Sequence, residues 1–224
     1  MASSRRGDGP AGPIPIRRSA LSVSAMSLIT LLAGILLAHA PAARAAQDAT
    51  HVPAIIPQPV SVTPGAGRFT LTAETVIWTD RATASLGRQL AGYLEPATGF
   101  ALTVRTGGAP SGRHIVLRRD TSLARLCPEG YRLDVSAERV LVRASAPAGV
   151  FYALQTIRQL LPPDIFRETP VHGVTWMIPA LTIEDYPRFR WRGGHLDVCR
   201  HFLPKEFVKK YIDLFALHKL NTFH

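Results

Sequence analysis

The side chains with most chemical capacity in this sequence lie close to its end. Arg192, His195, Asp197, Arg200, His201 and His224 bring guanidinium, carboxylate and imidazole groups into one stretch. An Asp beside an Arg-His pair could transfer protons. The plainer reading of Asp197, Arg200 and His201 is a structural network of charge-assisted hydrogen bonds that holds a strand against its neighbours. By spacing alone Arg192 reads as a surface arginine beside Arg188 and Arg190. His195 reads as a satisfied core or boundary histidine, and Phe189 and Trp191 as core packing. Cys127 and Cys199 are the only cysteines, and no Cys or His pair has the close spacing of a structural zinc site. No metal and no cofactor are expected. Cys199 falls in an apolar run, where a buried free thiol is expected.

These residues must be positioned by short elements that begin near Ile55. Val60 to Thr63, Arg68 to Leu71 and Thr75 to Thr79 read as strands, with Pro64-Gly65-Ala66-Gly67 as a turn. Arg81 to Ala97 carries a helical stripe of Leu86, Leu90, Tyr93 and Leu94, stopped at Gly99. Ala101 to Arg105 and His114 to Arg118 are strand-like. Alternation at Tyr131, Leu133, Val135, Val140 and Val142 marks a hairpin. Val150, Leu154, Ile157 and Leu161 mark a second helix that ends at Pro162-Pro163. Leu181 to Pro187 reads as an edge strand leading into a boundary. His195 to Cys199 reads as a buried parallel strand, Pro204 to Lys219 as a helix, and Leu220 to His224 as the start of another strand. The expected fold is an α+β domain over residues 55–185, with a mostly antiparallel sheet and two helices. The first β-α-β elements of an incomplete (β/α)8 barrel are expected to follow over residues 186–224.

The formal charge of +10 does not point to nucleic acid. Arg5, Arg6, Arg17, Arg18 and Arg44 against Asp8 place +4 in residues 1–45, which leaves +6 scattered over the remainder without a long basic run. Arg17-Arg18 precede an uncharged apolar run, Ala20 to Ala38, and Ala43 and Ala45 follow in the arrangement that signal peptidase accepts. Residues 1–45 are therefore expected to be an export signal, or else a retained membrane anchor, and residues 46–54 a linker. The rest of the protein is expected in the periplasm or outside the cell.

Pro187-Arg188-Phe189, the run from Arg192-Gly193 through Asp197 to Arg200-His201-Phe202, and Leu220-Asn221-Thr222-Phe223-His224 together resemble the opening of the catalytic barrel of glycoside hydrolase family 20. Ile56-Pro57-Gln58-Pro59, Gly130-Tyr131-Arg132-Leu133 and Ala148 to Thr156 resemble the small domain that precedes it. Cys199 stands where the family usually has Ser. The resemblance implies a β-N-acetylhexosaminidase acting on terminal N-acetylhexosamine residues of glycans or chitooligosaccharides. It implies substrate-assisted retaining catalysis, in which the 2-acetamido oxygen is the nucleophile and a Glu preceded by an Asp serves as acid and orienting group. It also implies that Arg192 binds the terminal sugar and that His224 could line the pocket. No His-x-Gly-Gly-Asp-Glu stretch occurs in the sequence, so the chain reads as truncated and inactive by itself. A standalone carbohydrate-binding or interaction module is the competing expectation.

Overall fold

The computed structural model describes residues 54–224; the expected export signal, and all but the last residue of the expected linker, lie outside the described residues. The described part is built on a seven-stranded sheet of order β1-β7-β5-β6-β4-β2-β3. Its strands are β1 (Ser61–Thr70), β2 (Val76–Thr79), β3 (Val104–Thr106), β4 (His114–Arg119), β5 (Tyr131–Val135), β6 (Arg139–Ala144) and β7 (Met177–Asp185). Two helices, α1 (Ala84–Thr98) and α2 (Pro147–Leu160), cross from strand to strand.

The α+β class expected from the sequence is present, but the sheet is evenly mixed rather than mostly antiparallel. β1, β7, β5 and β6 pair antiparallel, whereas β6, β4, β2 and β3 pair parallel. Parallel neighbours need a crossover rather than a tight turn, and α1 supplies one between β2 and β3. The expected turn at Pro64-Gly65-Ala66-Gly67 is instead the middle of one long strand. β1 keeps its pairing with β7 through a register shift between Pro64 and Arg68, with Gly67 at φ +93°, a value open mainly to glycine. β7 is not an edge strand but lies between β1 and β5, as its buried Ile178, Leu181 and Ile183 require.

One face of the sheet carries the core. Ile77, Ile115, Leu117, Leu133, Val140 and Val142 meet Leu90 and Leu94 of α1 and Val150, Leu154 and Ile157 of α2. α1 seats closely, since a Cβ at Gly87 would come within 2.5 Å of Thr79 Cγ2. Asp80 fixes its start: Oδ1 accepts from Thr83 N at 2.9 Å and Oδ2 from Arg119 N at 2.6 Å.

After β7 the chain forms a separate β-α-β unit: β8 (Gly193–Gly194), α3 (Lys205–Leu217) and β9 (Thr222–Phe223), with β8 and β9 parallel. The buried parallel strand expected at His195 to Cys199 is not there: β8 covers only the two glycines before it, and none of residues 195–199 is strand or buried. The two glycines allow α3 to sit directly on the strand: a Cβ at Gly194 would meet Phe215 Cζ at 2.5 Å. Phe215 is buried and packs with Tyr211 and Phe223 at ring separations of 5.0 and 5.3 Å. Cys199 is exposed, beyond the strand, and Phe189 and Trp191 are 63% and 72% exposed instead of forming core.

Candidate active site at the start of the β-α-β unit

Two constellations surround β8, one at each end of the strand, and they differ in chemistry. The first lies before the strand, where the β-α-β unit meets the sheet. Arg192 donates from Nε to Lys219 O at 2.8 Å and from Nη1 to Glu129 Oε2 at 2.9 Å and Phe189 O at 2.8 Å. Nη2 reaches the Tyr152 hydroxyl at 3.4 Å. Four of the five N–H donors of a guanidinium are thus used within the protein. Asn221 completes the group, accepting from Arg192 N at 2.9 Å and donating to Glu129 Oε1 at 3.2 Å.

Burial is the largest single influence on both Arg192 and Glu129 and opposes their charge, yet the hydrogen bonds and charges of their partners together outweigh it. Burial would raise the Glu129 carboxyl, but Arg192 and Asn221 hold it below its ordinary value. Burial would lower the Arg192 guanidinium, but Glu129 and Tyr152 raise it. Tyr152 is raised by burial and by the Glu129 charge.

Beside this clasp is a buried pair. Lys219, with φ +59° after α3, donates from Nζ to Asp185 Oδ2 at 2.7 Å and to the Tyr131 hydroxyl at 3.0 Å. Tyr131 also reaches Asp185 Oδ2 at 3.1 Å and Thr156 Oγ1 at 2.6 Å. Burial pulls the Lys219 amine below its usual range, only partly opposed by Asp185. It pushes the Tyr131 phenol well above its own, reinforced by the Asp185 charge. A cavity of about 360 Å³ runs along this joint, lined by Glu129, Tyr152, Tyr186, Phe189 and Lys219 among others.

The second constellation lies past the carboxyl end of β8. Asp197 Oδ1 accepts from the backbone N–H groups of Cys199 (2.9 Å) and Arg200 (3.1 Å), and Oδ2 pairs with the Arg200 guanidinium. Among the described residues every hydrogen-bond partner of Asp197 lies within three residues of it, so Asp197 and Arg200 form a local turn. The Arg200 side chain is 85% exposed, and His201 is exposed as well. Asp197 is held below the usual carboxylate range by the Arg200 and Cys199 hydrogen bonds. His195 and His224 are brought together: their Nδ1 atoms stand 2.8 Å apart, with rings 26° from parallel. His195 is exposed rather than a core histidine.

Sequence reasoning named Arg192, Asp197, Arg200, His201 and His224 but missed the partners Glu129, Tyr152, Asp185 and Lys219. Helical spacing foretold Tyr152 only as part of a helix, and nothing local marks Glu129 or Lys219. Their roles arise from a contact between segments about 90 residues apart, Glu129 with Asn221 and Tyr131 with Lys219.

The family described as glycosyl hydrolase family 20, domain 2, matches residues 52–186, and that described as glycosyl hydrolase family 20, catalytic domain, matches residues 189–224. The chain is 36% identical over 171 residues to a β-hexosaminidase of Porphyromonas gingivalis, covering 76% of this chain and 22% of the relative. It is 37% identical over 176 residues to a β-N-acetylhexosaminidase of Cellulomonas fimi, covering 76% and 34%. Among solved structures, the β-N-acetylhexosaminidase of Streptomyces coelicolor superimposes with a TM-score of 0.69 at 39% identity, over 78% of this chain and 35% of that one. The chain therefore spans about a fifth to a third of the length of these relatives.

Proposed function

The chain belongs to glycosyl hydrolase family 20, and from that premise we propose that it supplies the small domain and first barrel elements of an exported β-N-acetylhexosaminidase. The substrates are glycans or chitooligosaccharides that end in N-acetylhexosamine. A Streptomyces plicatus relative has been solved with GlcNAc as product, which supports this substrate class. The chemistry is substrate-assisted: the 2-acetamido oxygen attacks the anomeric carbon while a carboxylic acid protonates the leaving oxygen. A neighbouring carboxylate orients the acetamido group as charge develops on it. No protein nucleophile is required, because proximity within one sugar ring supplies the effective concentration.

The observation that carries the assignment of residues is the opposite character of the two ends of β8. In (β/α)8 enzymes the reacting groups sit at the carboxyl ends of the strands, and the amino ends serve stability. Arg192 precedes β8 with its donors engaged by Glu129, Lys219 and Phe189. We therefore assign it to the joint between sheet and barrel start, and pass the sugar-holding role that the resemblance gave it to Arg200. Arg200 follows the strand, is exposed, and is oriented by Asp197. His224, at the carboxyl end of β9, stands against His195 past the carboxyl end of β8, and we assign it to the pocket lining.

The Asp-Glu pair that this chemistry needs is not among these 224 residues, so by themselves they are inactive. Assay of the purified chain on a chromogenic N-acetylglucosaminide checks this; turnover above background, free of contaminating enzyme, would contradict it. Export is tested by N-terminal sequencing of secreted protein, with cleavage expected after Ala45 and an intact membrane-bound N-terminus as the opposing result.

A further inference from the structure

The helix-free face of the seven-stranded sheet is basic. Strand alternation sets which residues occupy it. Ile115, Leu117, Leu133, Val140 and Val142 point into the core with the helices, so the residues between them point the other way. Arg118 on β4, Arg143 on β6 and Arg132 on β5 lie directly opposite one another in register across three adjacent strands. Neighbouring strands are about 4.8 Å apart, so this is a row of closely spaced guanidinium stems, and like charges directly opposite each other destabilise a sheet. Only part of that repulsion is relieved locally. Asp134 pairs with Arg132 and Arg143, Asp120 with Arg143, and Glu184 on β7 stands opposite Arg132 in register. Among the described residues Arg118 is attracted by Asp120 but makes no ion pair as close as these, and Arg139, further along β6, is exposed without one. A surface that opposes like charges across a sheet departs from the local rule for stability, and such departures mark sites kept for binding.

We propose that this face holds an anionic polysaccharide, a glycan polymer bearing carboxylate or sulfate groups. Arg118 and Arg139, set apart along the adjacent strands β4 and β6, suit a polymer whose charges repeat along a chain, and arginine pairs with carboxylate or sulfate through paired N–H donors. Single-stranded nucleic acid fits less well, because it is gripped by aromatic rings on which bases stack. Trp78, on the same face, is only 8% exposed and lies beneath Arg105 at 5.6 Å. The sugar nature of the polymer rests on the family reading above; the basic face does not.

The test uses the full chain and four probes: polygalacturonate, neutral dextran, single-stranded DNA and vesicles rich in anionic lipid. Retention by polygalacturonate is expected at low salt, weakening steeply as salt is added, with none by dextran. The double variant Arg118→Ser/Arg139→Ser should lose at least about fivefold in affinity with an unchanged melting temperature. Arg81→Ser/Arg88→Ser, which removes the same charge from the helix side, should bind as the parent does. Absence of polygalacturonate binding, or equal loss in both double variants, overturns the proposal. So does DNA or vesicle binding as tight as polygalacturonate binding, which would leave the hydrolase reading intact.

Discussion

Lys219 Nζ stands 2.7 Å from Asp185 Oδ2, so the turn that ends α3 is pinned to the last residue of β7. Their side chains are 9% and 12% exposed. Few charges are buried so deeply without a specific pairing, and here the pair joins the β-α-β unit to the sheet. Together with Arg192 and Glu129 it makes the joint polar, with the geometry set by hydrogen bonds.

Removing one member should therefore cost more than removing both. Lys219→Met leaves Asp185 buried with only the Tyr131 hydroxyl and Val60 N–H for company. That should cost about 3–5 kcal/mol in urea unfolding. Lys219→Met/Asp185→Leu should recover much of the loss, because two apolar side chains bury without a desolvation penalty. A single variant as stable as the parent would show the pair to be superficial.

Acid should loosen the clasp. Glu129 titrates below its ordinary 4.5 in the folded state, so the unfolded chain takes up its proton first as pH falls. The stability it contributes is present above about pH 4.5 and is lost as pH drops through the lower folded value. Glu184 and Asp134 are lowered in the same sense, Glu184 by the Arg125 hydrogen bond and Asp134 by Arg143 and Thr182 against the pull of burial. The melting temperature should fall between about pH 5 and pH 3, and Glu129→Gln should flatten part of that slope. An unchanged slope in Glu129→Gln would remove Glu129 from this role.

Gly194→Ala should disturb the β-α-β unit and spare the sheet. The added Cβ would press on the Phe215 ring, and overpacking of this kind costs about 1–3 kcal/mol. Limited proteolysis should cut residues 190–224 faster while the fragment ending near Asp185 persists. Equal protection in parent and variant would mean that α3 is not seated on the strand through Phe215.

Much of this was legible in the sequence because it depends on local signals. Gly99 ends α1 at φ +70°, Pro162 follows α2, and the alternation from Tyr131 to Val142 gives the β5–β6 hairpin. The β-α-β unit likewise follows from the apolar stripe between two short strands. The central position of β7 was not legible, since its neighbours are chosen by long-range pairing with Ser61 and Tyr131. The division of labour around β8 was hidden for a similar reason. Arg192 and Arg200 look equivalent in a motif; they differ in that Glu129, distant in sequence, meets the first and only the local Asp197 meets the second.

That difference can be measured by joining residues 54–224 to the part of the Cellulomonas fimi relative that lies beyond the matched segment and assaying hydrolysis of a chromogenic N-acetylglucosaminide. The chimera should be active. Arg200→Met should lower its kcat/KM about ten- to a hundredfold, the worth of a hydrogen bond from a charged group, with little change in melting temperature. Arg192→Met should instead lower the melting temperature, with a much smaller effect on kcat/KM per folded molecule. An Arg192→Met chimera that keeps its melting temperature but loses activity, beside a fully active Arg200→Met, would contradict the assignment.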